Sequence, residues 1–234
     1  MRQTTSNELW SYARCHDIDI VPIYSLAAFS TDEERDMERL VAPGKELRNA
    51  KKIILDLRGN GGGDSDIARR FLENLNSSET MNLNYAKLNT QGSRLAEISI
   101  FAEPLDDYKK RKDKILLDPV CKWQRSEPHP VGEALYRDQL VVLTDRNTAS
   151  SAEIMVKCIK DNIPQSVIIG ENTSGTLNTG DIRYYYLPNS LIFLEIPTAI
   201  FAGIFDEGTG FYPDFWCMDD AMKAAIEWLS EAAG

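Results

Sequence analysis

Two short runs in this 234-residue chain carry residue types suited to covalent chemistry. Asn147-Thr148-Ala149-Ser150-Ser151-Ala152-Glu153 follows the apolar stretch LVVLTD and opens a segment with helical apolar spacing. Ser150 would hold its oxygen at the positive end of a helix dipole, with unpaired backbone N–H groups alongside. That setting suits a nucleophilic serine and the oxyanion its attack generates. The same run also reads as an ordinary helix start, since serine is a common N-cap and Glu153, three residues on, completes a capping box. The second run, Asp56-Leu57-Arg58-Gly59-Asn60-Gly61-Gly62-Gly63, likewise follows an apolar strand and precedes a helix. Its glycines can turn backbone N–H groups outward into a nest for negative charge. A dinucleotide fingerprint would need glycine where Asp64 stands, and that carboxylate would face the pyrophosphate. Asp56 and Arg58 read as an ion pair that fixes the loop.

The surrounding elements must bring these loops together. Residues 18–29 form an apolar run that reads as a buried strand feeding a helix capped at Ser30-Thr31-Asp32. Met37, Leu40, Val41 and Leu47 give that helix a stripe interrupted at Pro43-Gly44. After the glycine loop, Ile67, Phe71, Leu72 and Leu75 share one helical face. Residues 76–137 are mixed and polar, with a strand at 81–89 and an exposed helix in LDDYKKRKDKILLDP, and read as a cap or insertion. Organisation returns with the strand at 140–145, a helix carrying Ala152, Met155 and Ile159, and a strand at 166–170. The strands IRYYYLP and LIFLEIPT follow as a late hairpin, the three tyrosines 184–186 alternating between its faces. MDDAMKAAIEWL is a capped amphipathic helix. With no internal repeat or low-complexity linker, residues 1–234 read as one α/β domain: a largely parallel sheet, helices packed on it, and a late β-hairpin.

Composition removes several classes of function. Lys+Arg 26 against Asp+Glu 36 leaves a net charge of −10, which opposes affinity for nucleic acid or anionic lipid. No apolar run approaches the ~20 residues of a membrane span, and residues 1–14 hold no apolar signal-peptide core, which leaves the compartment open. Cys15, Cys121, Cys158 and Cys217 form no C-x-x-C pair and read as buried free thiols. Histidine occurs only as His16 and His129, so a multi-histidine metal centre is excluded and any imidazole mechanism within the chain uses one of these two. No metal or organic cofactor is expected. The sequons Asn76-Ser77-Ser78 and Asn172-Thr173-Ser174 are read as unmodified.

Taken in order, IILDLRGNGGG, LVVLTDRNTASSAEI, VIIGENTSGT and DEGTGFYPDFW resemble the TSPc domain of the S41 C-terminal processing (tail-specific) peptidases, across residues 53–216. The resemblance implies a ClpP/crotonase-like core, a peptide or unfolded-protein substrate, and Ser150 as nucleophile. It also implies an oxyanion hole made by a first-loop glycine amide, Gly61 or Gly62, with the amide of Ser151. An extracytoplasmic setting is compatible with it. Most members activate the serine with a lysine just after the glycine that Gly175 matches, where this chain has Thr176, which cannot act as the base. Lys157 and Lys160 lie roughly 10 and 15 Å along the helix from Ser150 and do not replace it. The lysine-free, tricorn-type branch uses Ser-His-Glu instead. Glu207 stands where its acid would be, His16 lies at the end where it places the base, and His129 is the other candidate. The family's base usually comes from a preceding subdomain, so a part of a longer protein is a further source. Two other readings stand: a non-catalytic peptide-binding domain that lost the base, and a crotonase-like acyl-CoA enzyme that would leave the Ser150 turn unexplained. An acid-base group within reach of Ser150 separates the peptidase from the binding domain.

Overall fold

The computed structural model describes residues 8–79, 83–100, 105–118, 120–126, 136–187, 189–201 and 208–231. They fall into two compact units, Met1–Asn82 with His129–Leu177 and Phe205–Gly234, and Leu83–Pro128 with Asn178–Ile204. No helix among the described residues is long and apolar enough to cross a membrane.

The first unit is built on a six-stranded sheet. Its strands are β1 (Ala13–Cys15), β2 (Ile18–Pro22), β3 (Lys52–Asp56), β6 (Gln139–Thr144), β7 (Val167–Gly170) and β10 (Phe215–Trp216), side by side in that order. All pairings are parallel except the antiparallel edge pair β1–β2. Continuous apolar runs such as Ile53-Ile54-Leu55 and Leu140-Val141-Val142-Leu143 have no exposure, as a parallel sheet covered on both faces requires. Alternation assigns Ile18, Ile20, Ile54, Val141, Leu143 and Ile169 to one face, where Ala221, Ala225 and Leu229 of α6 (Ala221–Glu231) join them. The intervening set, including Val21, Ile53, Leu55 and Val142, is buried as well.

α1 (Thr31–Leu47), α2 (Ser65–Asn76) and α5 (Ser151–Asn162) pack successively on one another. α1 starts as expected, with Ser30 Oγ accepting from the Glu33 amide and Glu33 accepting from that of Phe29. It then continues through Pro43 without interruption. Gly44 explains the Pro-Gly pair: a Cβ there would lie 2.5 Å from the Phe71 carbonyl oxygen, so glycine allows α1 and α2 to approach closely.

The second unit contains β4 (Tyr85–Asn89), α3 (Gln91–Ile100), α4 (Leu105–Leu116), β5 (Lys122–Arg125), β8 (Thr179–Tyr186) and β9 (Phe193–Phe201). Its antiparallel sheet runs β5-β4-β9-β8. The late hairpin is therefore β8–β9, with Tyr184 opposite Glu195 and Tyr185 opposite Leu194. The sequence reading passed over β1, β5, β10 and α3. Thr90 and Ser93 carry a signal for α3, because each side-chain oxygen accepts from the other's amide in a reciprocal cap. Asp181, at φ +53, receives Lys87 Nζ at 2.8 Å, Arg183 Nη2 at 2.7 Å and Thr198 Oγ1 at 2.7 Å.

All four cysteines are free, and they divide by environment. Cys158 is buried and its thiol is pushed up to about 12 by that burial, whereas Cys15 and Cys217 are half-buried and Cys121 is exposed. The expectation of uniformly buried thiols is corrected accordingly: Cys121 precedes the short, exposed β5.

Candidate active site

Strand register fixes where the loops of interest meet. Pro22 lies beside Asp56, Asp56 beside Leu143, and Leu143 beside Ile169, so the carboxyl ends of β2, β3, β6 and β7 line one edge of the sheet. The glycine loop leaves β3, the Ser150 run leaves β6, and residues 171–176 leave β7. In parallel α/β sheets this edge is where ligands are bound.

Hydrogen bonds lock the three loops together. Asn60, with no exposure, donates from Nδ2 to the Ile23 carbonyl and accepts the Ala149 amide on its own carbonyl. Thr148 Oγ1 donates to the Leu57 carbonyl, and Ser151 Oγ donates to that of Gly63 at 2.7 Å. The Ser174 amide donates to the Thr148 carbonyl. Arg58 clasps Asp56 with Nε at 2.8 Å and Nη2 at 2.7 Å, the loop-fixing pair read from the sequence.

Ser150 adopts φ +50, ψ −118. The caps of α1 and α2, Ser30 and Asp64, sit in extended backbone, as N-caps ordinarily do. A left-handed serine at the start of α5 thus departs from the plain capping reading, although the Ser150 amide does donate to Glu153 Oε2 at 3.0 Å. Such a conformation in an L residue costs about 1–3 kcal/mol and persists only where its surroundings enforce it. Gly62 is part of that enforcement. It lies at φ +94, and a Cβ there would stand 2.8 Å from the Ala149 oxygen, 2.8 Å from the Ser151 nitrogen and 2.9 Å from the Ser150 Cβ.

The oxyanion candidates separate on inspection. The Gly62 amide donates to Asn60 Oδ1 at 2.9 Å, so it is already engaged, contrary to its expected role as a free donor. Among the described residues, the amides of Gly61 and Ser151 have no such partner. The Ser151 amide belongs to the first turn of α5, where the helix itself supplies no acceptor.

Glu153, read from the sequence only as half of a capping box, is the most connected side chain of the site. It is fully buried, and its carboxylate accepts five hydrogen bonds. Oε1 takes Thr173 Oγ1 at 2.7 Å and the Gly175 amide at 2.8 Å. Oε2 takes the Ser150 and Thr176 amides, each at 3.0 Å, and Thr176 Oγ1 at 3.2 Å. No cation pairs with it among the described residues. An unpaired buried carboxylate would be strongly disfavoured, and hydrogen bonds of about 1.5–3 kcal/mol each to a charged group offset that. Thr176, where the resemblance leads us to expect lysine, directs its hydroxyl into Glu153.

His16 does not join this cluster. It occupies the β1–β2 turn at φ +57, with Nδ1 3.4 Å from Cys15 Sγ, and the adjacent Asp17 pairs with Lys52 at the amino end of β3. Parallel strand direction puts that end roughly 16 Å of strand away from the edge bearing Ser150, at ~3.3 Å per residue. The expectation of His16 as base is corrected on that ground: nearness to the N-terminus in sequence became the wrong end of the sheet. Lys157 pairs with Asp161 and Lys160 with Asp214. Glu207 and His129 lie outside the described residues. The neighbour of Glu207, Gly208, donates its amide to the Gly175 carbonyl, and Thr173 exchanges hydrogen bonds with Phe211.

The sequence profile of peptidase family S41 matches residues 21–203. Solved structures share the fold. A lipoprotein from Streptococcus agalactiae is 18% identical with a TM-score of 0.56, over 95% of this chain and 69% of that one. Mature CPAF complexed with lactacystin is 15% identical with a TM-score of 0.55, over 95% and 53%. The photosystem II D1 C-terminal processing protease is 16% identical with a TM-score of 0.52, over 92% and 49%. This chain thus spans about half to two thirds of the length of these three structures.

Proposed function

The chain belongs to peptidase family S41, and from that premise we propose that it is a serine endopeptidase domain that cleaves unfolded or C-terminal protein segments through an acyl-enzyme on Ser150. The observation that carries this reading is the left-handed Ser150 turn, seated within 2.8 Å of a Cβ position on Gly62 and followed by an unengaged Ser151 amide. Ser150 Oγ would attack the peptide carbonyl while its proton passes to a base. The carbonyl oxygen, now negative, would be held by the amides of Ser151 and Gly61, the two that need not break an existing bond. Collapse of that intermediate would expel the amine and leave the ester, which water then hydrolyses.

The base in this reading is an imidazole of the lysine-free, tricorn-type arrangement, with Glu207 orienting it. Thr176 in the lysine position supports that branch, and the Gly208–Gly175 hydrogen bond supports a place for Glu207 at the site. His129 is the remaining histidine of this chain, and a longer protein would be the alternative source. The second unit we read as an elaboration of the peptidase core.

A second reading, a peptide-binding domain without catalysis, is favoured by one observation: the Thr176 hydroxyl is tied to Glu153, where a base would otherwise stand. Intact mass after exposure to a fluorophosphonate separates the two. The peptidase reading expects one adduct that disappears in Ser150→Ala and slows in His129→Ala and Glu207→Gln. A folded chain that stays unlabelled, in this form and as part of a longer protein, supports the binding domain.

A further inference from the structure

We infer that Glu153 is a positioning residue that sets the nucleophile turn in register with the closing segment 208–211; the inference rests on Ser150 being the nucleophile. The two carboxylate oxygens divide the work. Oε2 holds the Ser150 and Thr176 amides, and so fixes the turn to the loop after β7. Oε1 holds Thr173 Oγ1 and the Gly175 amide. Those same two residues carry the closing segment, because Thr173 Oγ1 accepts the Phe211 amide and the Gly175 carbonyl accepts that of Gly208. One fully buried side chain therefore links Ser150 to the backbone segment that Glu207 immediately precedes in sequence. The charge has a reason here. A carboxylate only accepts, so both oxygens can face backbone donors, which a neutral amide cannot do.

That asymmetry makes Glu153→Gln informative. The new NH2 must replace one oxygen, and it will face whichever side has fewer obligatory donors. The Oε2 side has two backbone amides. The Oε1 side has one, Gly175, plus a threonine hydroxyl that can turn and accept. Glu153→Gln therefore keeps the Ser150 and Thr176 bonds and gives up the Gly175 bond, whereas Glu153→Ala gives up all of them.

Two measurements test this. Hydrogen exchange resolved by residue should show protection at the Gly175 and Gly208 amides falling at least tenfold in Glu153→Gln, with Ser150 and Thr176 unchanged. In Glu153→Ala all four should lose protection. Fluorophosphonate kinetics should show the maximal inactivation rate falling at least tenfold in Glu153→Ala and less in Glu153→Gln, with the reversible inhibitor constant within twofold. A general loss of fold would move both constants and every amide. Equal protection in wild type and both variants, or a maximal inactivation rate unchanged in the alanine variant, overturns the inference. If wild type is not labelled at all, the reading of Ser150 as nucleophile fails, while exchange alone still decides whether Glu153 ties the two segments together. Should Glu153→Ala fail to fold, the Gly175-against-Ser150 contrast in Glu153→Gln decides it.

Discussion

Gly62→Ala is the sharpest perturbation of the proposed site because it adds one methyl group to the contact between two loops. At φ +94 an alanine carries about 1–2 kcal/mol of backbone strain before any contact is counted. The methyl would also meet two backbone atoms at 2.8 Å and the Ser150 Cβ at 2.9 Å. Restoring ordinary contact near 3.4 Å would move the loops apart by roughly 0.6 Å, and overpacking of this kind typically costs about 1–3 kcal/mol. The total, about 2–5 kcal/mol, corresponds to a fall in Tm of roughly 4–20 °C for a chain of this size. Displacement matters more than stability for the chemistry, since about 1 Å of misplacement can cost about 100-fold in rate. We therefore expect fluorophosphonate labelling of Ser150 to slow by roughly 10- to 100-fold in a variant that still folds. Gly59→Ala is the control. At φ +77 it carries similar backbone strain, but its Cβ meets nothing within 4 Å, so it should lower Tm by only about 2–8 °C and label at a rate close to wild type. Labelling of Gly62→Ala at the wild-type rate, or equal damage from both substitutions, would refute the claim that the glycine loop braces the nucleophile turn.

The strain at Ser150 predicts that Ser150→Gly is more stable than Ser150→Ala by about 1 kcal/mol in urea unfolding, although both abolish labelling; equal stabilities would mean that the turn relaxes. Burial would raise the Asp181 carboxyl, but hydrogen bonds from Lys87 and Thr198 and the charge of Arg183 hold it below the usual carboxylate range. Its contribution to stability is therefore present above the unfolded-state value near pH 4 and lost as pH falls through the lower folded value. Asp181→Asn, which tolerates the left-handed backbone, should flatten that acid dependence, and an unchanged profile would disprove the assignment. With its thiol pushed up to about 12 by burial, Cys158 stays protonated at pH 8. Native alkylation read by peptide mass should modify Cys121 and spare Cys158, and early modification of Cys158 would contradict its burial.

What the sequence disclosed depended on how local each signal was. The buried strands at 53–56 and 140–144, the glycine loop and the serine at the head of α5 are each contained in a dozen residues, and the structure puts them in one place. Glu153 was visible only as a capping partner, because four of its five donors come from residues 173–176 and a contact at that separation leaves no periodicity. The Gly62 amide was a reasonable oxyanion donor until Asn60, two residues back, was found to bind it. His16 misled for a topological reason: only the direction of β2 within the sheet shows which end its preceding turn occupies. Thr90 and Ser93 show that α3 carries its own start signal locally, a reciprocal cap that the sequence reading did not use.

The dependence of Ser150 on partners from β3 and from beyond β7 has a consequence for the order of events during synthesis. A nascent chain that has emerged only as far as α5 already contains the glycine loop and the serine, yet it lacks Thr173, Gly175 and Thr176. Its Glu153 then meets water instead of four of its native donors, and the turn at φ +50 is held only from the side of the glycine loop and by the capping bond. An unbraced L residue leaves that conformation for the extended basin. The brace on Ser150 is therefore completed late in translation, when the loop after β7 docks, and on the proposed reading a growing polypeptide would be spared attack while its own unfolded segments lie nearest.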